Sequence, residues 1–219
     1  MTTIEHFRDG SAIPPVHGFL QGPECPSGEG LVLAHGAGSN ANARLLVALA
    51  DVLAARGMTV LRVNLPYRQK RAYGPPGPGD AAQDRAGLKN AVEAMRRELP
   101  GRLFLGGHSY GGRQATMLCA EEPALAAGLL LLSYPLHPPR KPEQKRTQHL
   151  PQLATDSLFV HGTRDPFGSI SELEEALRLI PARTRLLAME NAGHELTGKK
   201  TGAAEQTAEQ IANVFAEFY

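Results

Sequence analysis

The residues with the most pointed chemistry are Gly107-His108-Ser109-Tyr110-Gly111, which fit the pattern G-x-S-x-G. Glycine at both ends lets a chain pass from a strand into a helix through a turn too tight for a Cβ on either side. Such a turn presents its serine at the tip, beside a helix N-terminus that favours negative charge. A serine hydroxyl attacks an acyl carbon only when a base takes its proton. The pattern therefore acquires meaning only with a histidine, and with a carboxylate behind that histidine.

Four histidines lie downstream: His137, His149, His161 and His194. The first two fall in or beside an irregular basic stretch. His194 follows the last apolar run in a small, turn-rich setting, Asn191-Ala192-Gly193, from which an imidazole can reach the serine. The order serine, acid, histidine that accompanies this turn places the acid between residues 109 and 194. Asp165 stands in a turn just after an apolar run, with Pro166 behind it. Asp156 precedes that run and would lie at the opposite edge of a sheet, and Glu190 is a fallback. Ser109, His194 and Asp165 thus form the expected catalytic set, as nucleophile, base and orienting acid.

Two backbone N–H groups must face the oxygen that becomes negative. Tyr110, the residue after the serine, supplies one. The other is expected from His35-Gly36-Ala37-Gly38, with Ala37 preferred and Gly36 as the alternative. His35, His108 and His161 sit at strand ends and read as hydrogen-bonded structural histidines. Tyr67, Tyr134, Arg68 and Arg140 lie on loops beside the expected site and are candidate substrate contacts. Two basic clusters, Arg68-Lys70-Arg71 and Arg140-Lys141-Lys145-Arg146, are expected to overhang it and to favour an anionic substrate or acidic partner.

These residues need a scaffold. Short apolar runs alternate with longer amphipathic stretches, the pattern of parallel strands joined by crossover helices. Strands are expected at 31–34, 58–63, 103–107, 128–133, 157–161 and 184–189, with an extended segment around 17–21. Helices are expected at 43–56, from an Asp80 cap to about 99, from the serine turn to 121, at 169–180 and at 203–218. The stretch LPYRQKRAYGPPGPG (65–79) is too rich in Pro and Gly for a helix or a central strand. HGAGSN, GHSYGG, GTRDPFG and NAGHEL all fall just after strands, where open parallel sheets bind ligands. The expected architecture is an α/β fold with a mostly parallel twisted sheet of about seven or eight strands and helices on both faces. It forms one domain over residues 1–219 with no separate lid.

Composition narrows the function. Lys plus Arg number 23 and Asp plus Glu 22, so the basic excess that nucleic-acid binding requires is missing. The first residues lack the apolar core of a secretory signal, and no apolar run approaches a membrane span. The two cysteines, Cys25 and Cys119, have no metal-site spacing and are read as reduced thiols of a cytoplasmic protein.

The chain resembles the small α/β hydrolases of dienelactone-hydrolase type, a group whose animal relatives include a subunit of a nuclear acetyltransferase complex. The matching segments are HGAGSN (35–40), LRVNLPYR (61–68), GGHSYGGR (106–113), SYPLHPPRKPEQKRTQHL (133–150), HGTRDPFG (161–168) and Gly193-His194. The resemblance implies the α/β-hydrolase fold, and it carries the family's nucleophile to Ser109, its acid to Asp165 and its histidine to His194. Family members often have Lys before the serine and Met after it, where this chain has His108 and Tyr110, and often Gly where Arg140 stands.

Together these readings anticipate a serine hydrolase that cleaves a small ester through an acyl-enzyme, with no cofactor or metal. The same triad would serve a thioesterase, a lactonase or a peptidase. A non-catalytic binding or complex subunit that retains the fold is the rival of a different class.

Overall fold

The computed structural model describes residues 2–198 and 200–219. Its elements run β1 (Thr3–Asp9), β2 (Val16–Gly22), β3 (Gly30–Ala34), α1 (Arg44–Ala55), β4 (Thr59–Asn64), α2 (Pro66–Lys70), α3 (Asp80–Glu98), β5 (Leu103–His108), α4 (Tyr110–Glu121), β6 (Gly128–Leu132), β7 (Ser157–Gly162), α5 (Ile170–Leu177), β8 (Thr184–Met189) and α6 (Ala203–Phe218). The strands form one eight-stranded sheet in the order β1-β2-β4-β3-β5-β6-β7-β8. β1 and β2 are antiparallel additions at one edge, and from β4 onward the sheet is parallel.

A parallel strand covered on both faces must be apolar at every position, and β6 (GLLLL) is buried throughout. Its side chains alternate between two cores. Leu129 and Leu131 join residues of α3, α4 and α5, including Leu88, Val92, Leu118 and Leu173. Leu130 and Leu132 join residues of α1 and α6, including Leu46, Leu49, Ile211 and Phe215. Tyr219, after α6, hydrogen-bonds through its hydroxyl to the N–H of Leu129 and to the carbonyls of Leu129 and Asp156, pinning the N-terminal ends of β6 and β7.

The chain moves from β3 outward to β4, then crosses back through α3 to β5 on the other side of β3. This reversal opens a crevice between the loops that leave β3 and β5. Ala34 and Gly107, the residues just before those loops diverge, are register partners.

Three features differ from the sequence reading. β1 is a full strand that the sequence left unassigned, because its outward face is exposed and it carries no apolar run. Residues 66–70 form a short helix within the stretch expected to be irregular. Pro66 at the first helical position costs nothing there, since its missing N–H would have no intrahelical partner. The N–H of Tyr67, another such orphan, donates to Asp84 Oδ1 at 3.0 Å. Asp80 begins α3 rather than capping it. Gly79 occupies the cap with φ 90°, and the Asp80 carboxylate accepts the N–H of Gly77.

The turn from β5 into α4 depends on close packing at its second glycine. A Cβ at Gly111 would lie 2.6 Å from the His35 carbonyl oxygen and 2.7 Å from Ala34 Cβ, both fixed by strand β3. Gly111→Ala is expected to lower the unfolding free energy by about 1–3 kcal/mol through overpacking, measured by urea denaturation. Wild-type stability in that variant would show that the turn has slack.

Candidate active site

Strand β5 ends at His108, and Ser109 follows with φ 50° and ψ −113°, a strained conformation for a residue with a side chain. Its N–H donates to the Leu132 carbonyl at 2.7 Å and its own carbonyl accepts from Arg113 at 3.0 Å, so the backbone is gripped from both sides. The hydroxyl lies 2.8 Å from His194 Nε2. On the other side of that ring, Nδ1 lies 3.0 and 2.8 Å from the two carboxylate oxygens of Asp165. An acceptor-only carboxylate requires the proton on Nδ1, which leaves the Nε2 lone pair to accept from the serine. The structure therefore brings together the three residues that the sequence singled out, from turns after β5, β7 and β8.

Asp165 is fully buried at its side chain. Burial pushes its carboxyl pKa up, but the hydrogen bond from His194 and the N–H of Phe167 at 2.9 Å outweigh it, and the group stays below its ordinary value. The turns after β7 and β8 are joined directly, the Arg164 N–H donating to the Ala192 carbonyl at 2.9 Å. Asp156 is at the opposite end of β7, paired with Arg183 at 3.0 Å, and Glu190 is exposed.

The His194 ring has aromatic neighbours on two sides. The Phe167 ring lies against it at 4.2 Å between centroids and 33°. The His108 ring lies at 5.1 Å, and its Nε2–H donates to the His194 carbonyl at 2.8 Å. His108 thus tethers the loop that carries His194. Its pKa is lowered, chiefly by burial, which keeps it neutral.

The HGAG loop after β3 forms the facing wall. Gly36 approaches so closely that a Cβ there would lie 2.9 Å from His108 Nδ1 and 3.6 Å from Ser109 Cβ. The loop's carbonyls are drawn away by a set of buried donors. His35 Nδ1 donates to the Gly36 carbonyl at 2.8 Å while its Nε2 accepts the Leu65 N–H at 3.1 Å. The Tyr67 hydroxyl reaches the carbonyls of Gly36 at 3.1 Å and Ala37 at 2.8 Å. Arg68 Nε donates to the Ser39 carbonyl at 2.7 Å. C=O and N–H point oppositely across a trans peptide. Holding the Gly36 carbonyl outward therefore turns the Ala37 N–H the other way.

A cleft of about 440 Å³ opens here, lined by Gly36, Ala37, Arg44, Ser109, Phe167, His194 and Glu195 among others. Four expected substrate contacts are absent from its wall. Tyr67 and Tyr134 are 1% exposed and Arg68 8%. Tyr67 and Arg68 direct their donors at loop carbonyls, and the Tyr134 hydroxyl donates to the Arg146 carbonyl at 2.8 Å. Arg140 is exposed outside the wall. No member of the two basic clusters lines the cleft either. Lys145 pairs with Glu175 at 2.9 Å, and Arg71 pairs with Asp80. Burial withdraws the two tyrosines and Arg68 from the cleft, and ion pairs engage Lys145 and Arg71 elsewhere. Arg44, Phe167 and Glu195, which the sequence reading did not single out, take that place. Only Phe167 and Glu195 carried a signal, Phe167 standing two residues after the predicted Asp165 and Glu195 directly after the predicted His194.

A buried serine at a strand-to-helix turn, bonded through an imidazole to a carboxylate on the same edge of a parallel sheet, is the site arrangement of the α/β-hydrolase class. A family model described as "Alpha/beta hydrolase domain" matches residues 27–219, and the chain belongs to that family. Solved structures agree in fold. A dienelactone hydrolase from Anabaena variabilis shares 20% identity, with 99% of this chain and 98% of that one covered and a TM-score of 0.75. An alpha-beta serine hydrolase homologue from Coxiella burnetii shares 16%, with 96% of each chain covered and a TM-score of 0.76. A serine hydrolase from Xanthomonas campestris, described as without a lid, shares 16%, with 98% and 94% covered and a TM-score of 0.74. The architecture is thus that of a dienelactone-hydrolase-like α/β hydrolase.

Buried neutral histidines make stability depend on pH. Burial, with nearby positive charge, lowers the pKa of His35 to about 4, and likewise that of His149, whose Nε2 bonds Thr116 Oγ1 at 2.8 Å. In the unfolded chain each titrates near pH 6.5. Between those values the unfolded state binds a proton that the folded state refuses, so stability falls as the pH is lowered from about 6.5 towards 4. His149→Gln is expected to remove one proton's worth of this slope, read from denaturation midpoints across the range. An unchanged slope would show that His149 is protonated in the folded state.

Proposed function

We propose that this chain is a serine hydrolase that cleaves small esters through a Ser109-His194-Asp165 triad. The observation that carries the reading is the continuous hydrogen-bonded path from Ser109 Oγ through both imidazole nitrogens to the buried Asp165 carboxylate. In the proposed reaction His194 Nε2 takes the hydroxyl proton as Oγ bonds to the carbonyl carbon. Asp165 stabilises the resulting imidazolium. The N–H groups of Tyr110 and Ala37 receive the negative oxygen, Tyr110 being the first residue of α4, where an N–H lacks an intrahelical partner. Collapse breaks the bond to the alcohol, which leaves with the proton from His194. A water repeats the sequence and releases the acid. This chemistry draws on no cofactor.

We further propose that residues 1–219 act as one domain without a lid. The open cleft of about 440 Å³ then suits short acyl chains.

Treatment with a fluorophosphonate probe is expected to label the wild type and not Ser109→Ala. On a series of p-nitrophenyl esters from acetate to octanoate, kcat/KM is expected to fall with chain length. Asp165→Asn is expected to lose about 10³–10⁴-fold in kcat. Absence of labelling in the wild type would sink the hydrolase reading, and a preference for octanoate would sink the short-chain one.

A further inference from the structure

The interior of the α3 side holds one carboxylate that the proposed reaction does not use. Asp84, on α3, is 0% exposed, and no ion pair to it is found among the described residues. A buried carboxylate without a cationic partner is costly, so its hydrogen bonds must matter to the fold or the site. Oδ1 accepts the backbone N–H of Tyr67 at 3.0 Å, and Oδ2 accepts the hydroxyl of Tyr110 at 2.7 Å. Its two oxygens therefore hold α2 and α4, elements that follow different strands.

Each tyrosine leads to one of the two proposed oxyanion donors. The Tyr67 hydroxyl anchors the carbonyls of Gly36 and Ala37, which orients the Ala37 N–H. Tyr110 carries the second donor on its own backbone, and its side chain is tethered only one residue from Ser109. The two rings meet edge to face at 5.9 Å and 88°. The path Ala37, Tyr67, Asp84, Tyr110 is thus a brace from the HGAG loop to the serine turn. It runs behind the cleft, and none of Tyr67, Asp84 or Tyr110 lines the wall.

We propose that Asp84 is a positioning residue that fixes the spacing of the two oxyanion donors by holding Tyr67 and Tyr110 on its two oxygens. This rests on the hydrolase reading above. The donors must match an oxygen that exists only in the tetrahedral state, so loosening the brace affects turnover more than substrate binding. Loss of a single donor costs about 10²–10³-fold in kcat, and a displaced donor loses part of that.

The test compares wild type, Asp84→Ala, Asp84→Asn and Tyr110→Phe on a short ester, with active sites titrated by fluorophosphonate so that unfolded protein does not enter kcat. Asp84→Ala is expected to lose about 10–100-fold in kcat with KM changed less than about threefold. Affinity for a trifluoromethyl ketone, which forms a tetrahedral oxyanion on Ser109, should fall in parallel. Asp84→Asn keeps one carbonyl acceptor and should recover part of both losses. Tyr110→Phe removes one hydroxyl and carries the test should the Asp84 variants fail to fold; it is expected to lose about 5–20-fold in kcat and in ketone affinity alike.

Wild-type kcat and ketone affinity in Asp84→Ala or in Tyr110→Phe would overturn the proposal while leaving the hydrolase reading intact. A larger change in KM than in kcat would also overturn it. Absence of Ser109-dependent labelling in the wild type would remove the hydrolase reading and this proposal with it.

Discussion

Side chains 85 positions apart in sequence meet at 2.8 Å where Ser109 faces His194, and much of the molecule bears on that distance. The serine is held by a strained backbone, which persists only because β5, β6 and α4 over-determine it. The histidine sits on a loop with no regular structure and is held instead by neighbours: the His108 ring through the backbone carbonyl, the Asp165 carboxylate through Nδ1, and the Phe167 ring by contact. Rigid sheet on one side and local hydrogen bonds on the other bring the two atoms into register.

The same division appears in the polar interior. Parallel strands bury everything between the helices, so any polar group there needs a partner. At the carboxyl ends of the strands those partners are loop carbonyls. His35, Tyr67 and Arg68 together satisfy the carbonyls of residues 36, 37 and 39. A glycine-rich loop that would otherwise sample many conformations is thereby confined to one, which is the entropic requirement for preorganised N–H groups.

Much of this was legible in the sequence. The strands at 31–34, 103–107 and 184–189, the serine turn and the histidine loop announced themselves because apolar runs and glycine turns are local signals. Asp165 was legible because it had to follow a strand. What local pattern cannot convey is the direction in which a side chain points. Tyr67 and Arg68 in the short helix α2, and Tyr134 on a loop, lie beside the site, and chain position alone suggested that they face the substrate. Burial at 1%, 1% and 8% shows that their polar groups serve the protein's own carbonyls instead. Asp84 gave no signal at all, since an aspartate on an amphipathic helix looks the same whether it meets solvent or two tyrosines. Residues 66–70 were hidden by their composition, because a proline that breaks a helix interior is also a good first residue of one.

The packing of the Phe167 ring against His194 has a consequence for the order of events. An imidazole hemmed in on two sides cannot rotate to carry a proton from one oxygen to a distant second one. In the proposed reaction the departing alcohol must come to the ring. It then leaves from beside Nε2 through the cleft that Phe167, Arg44 and Glu195 line.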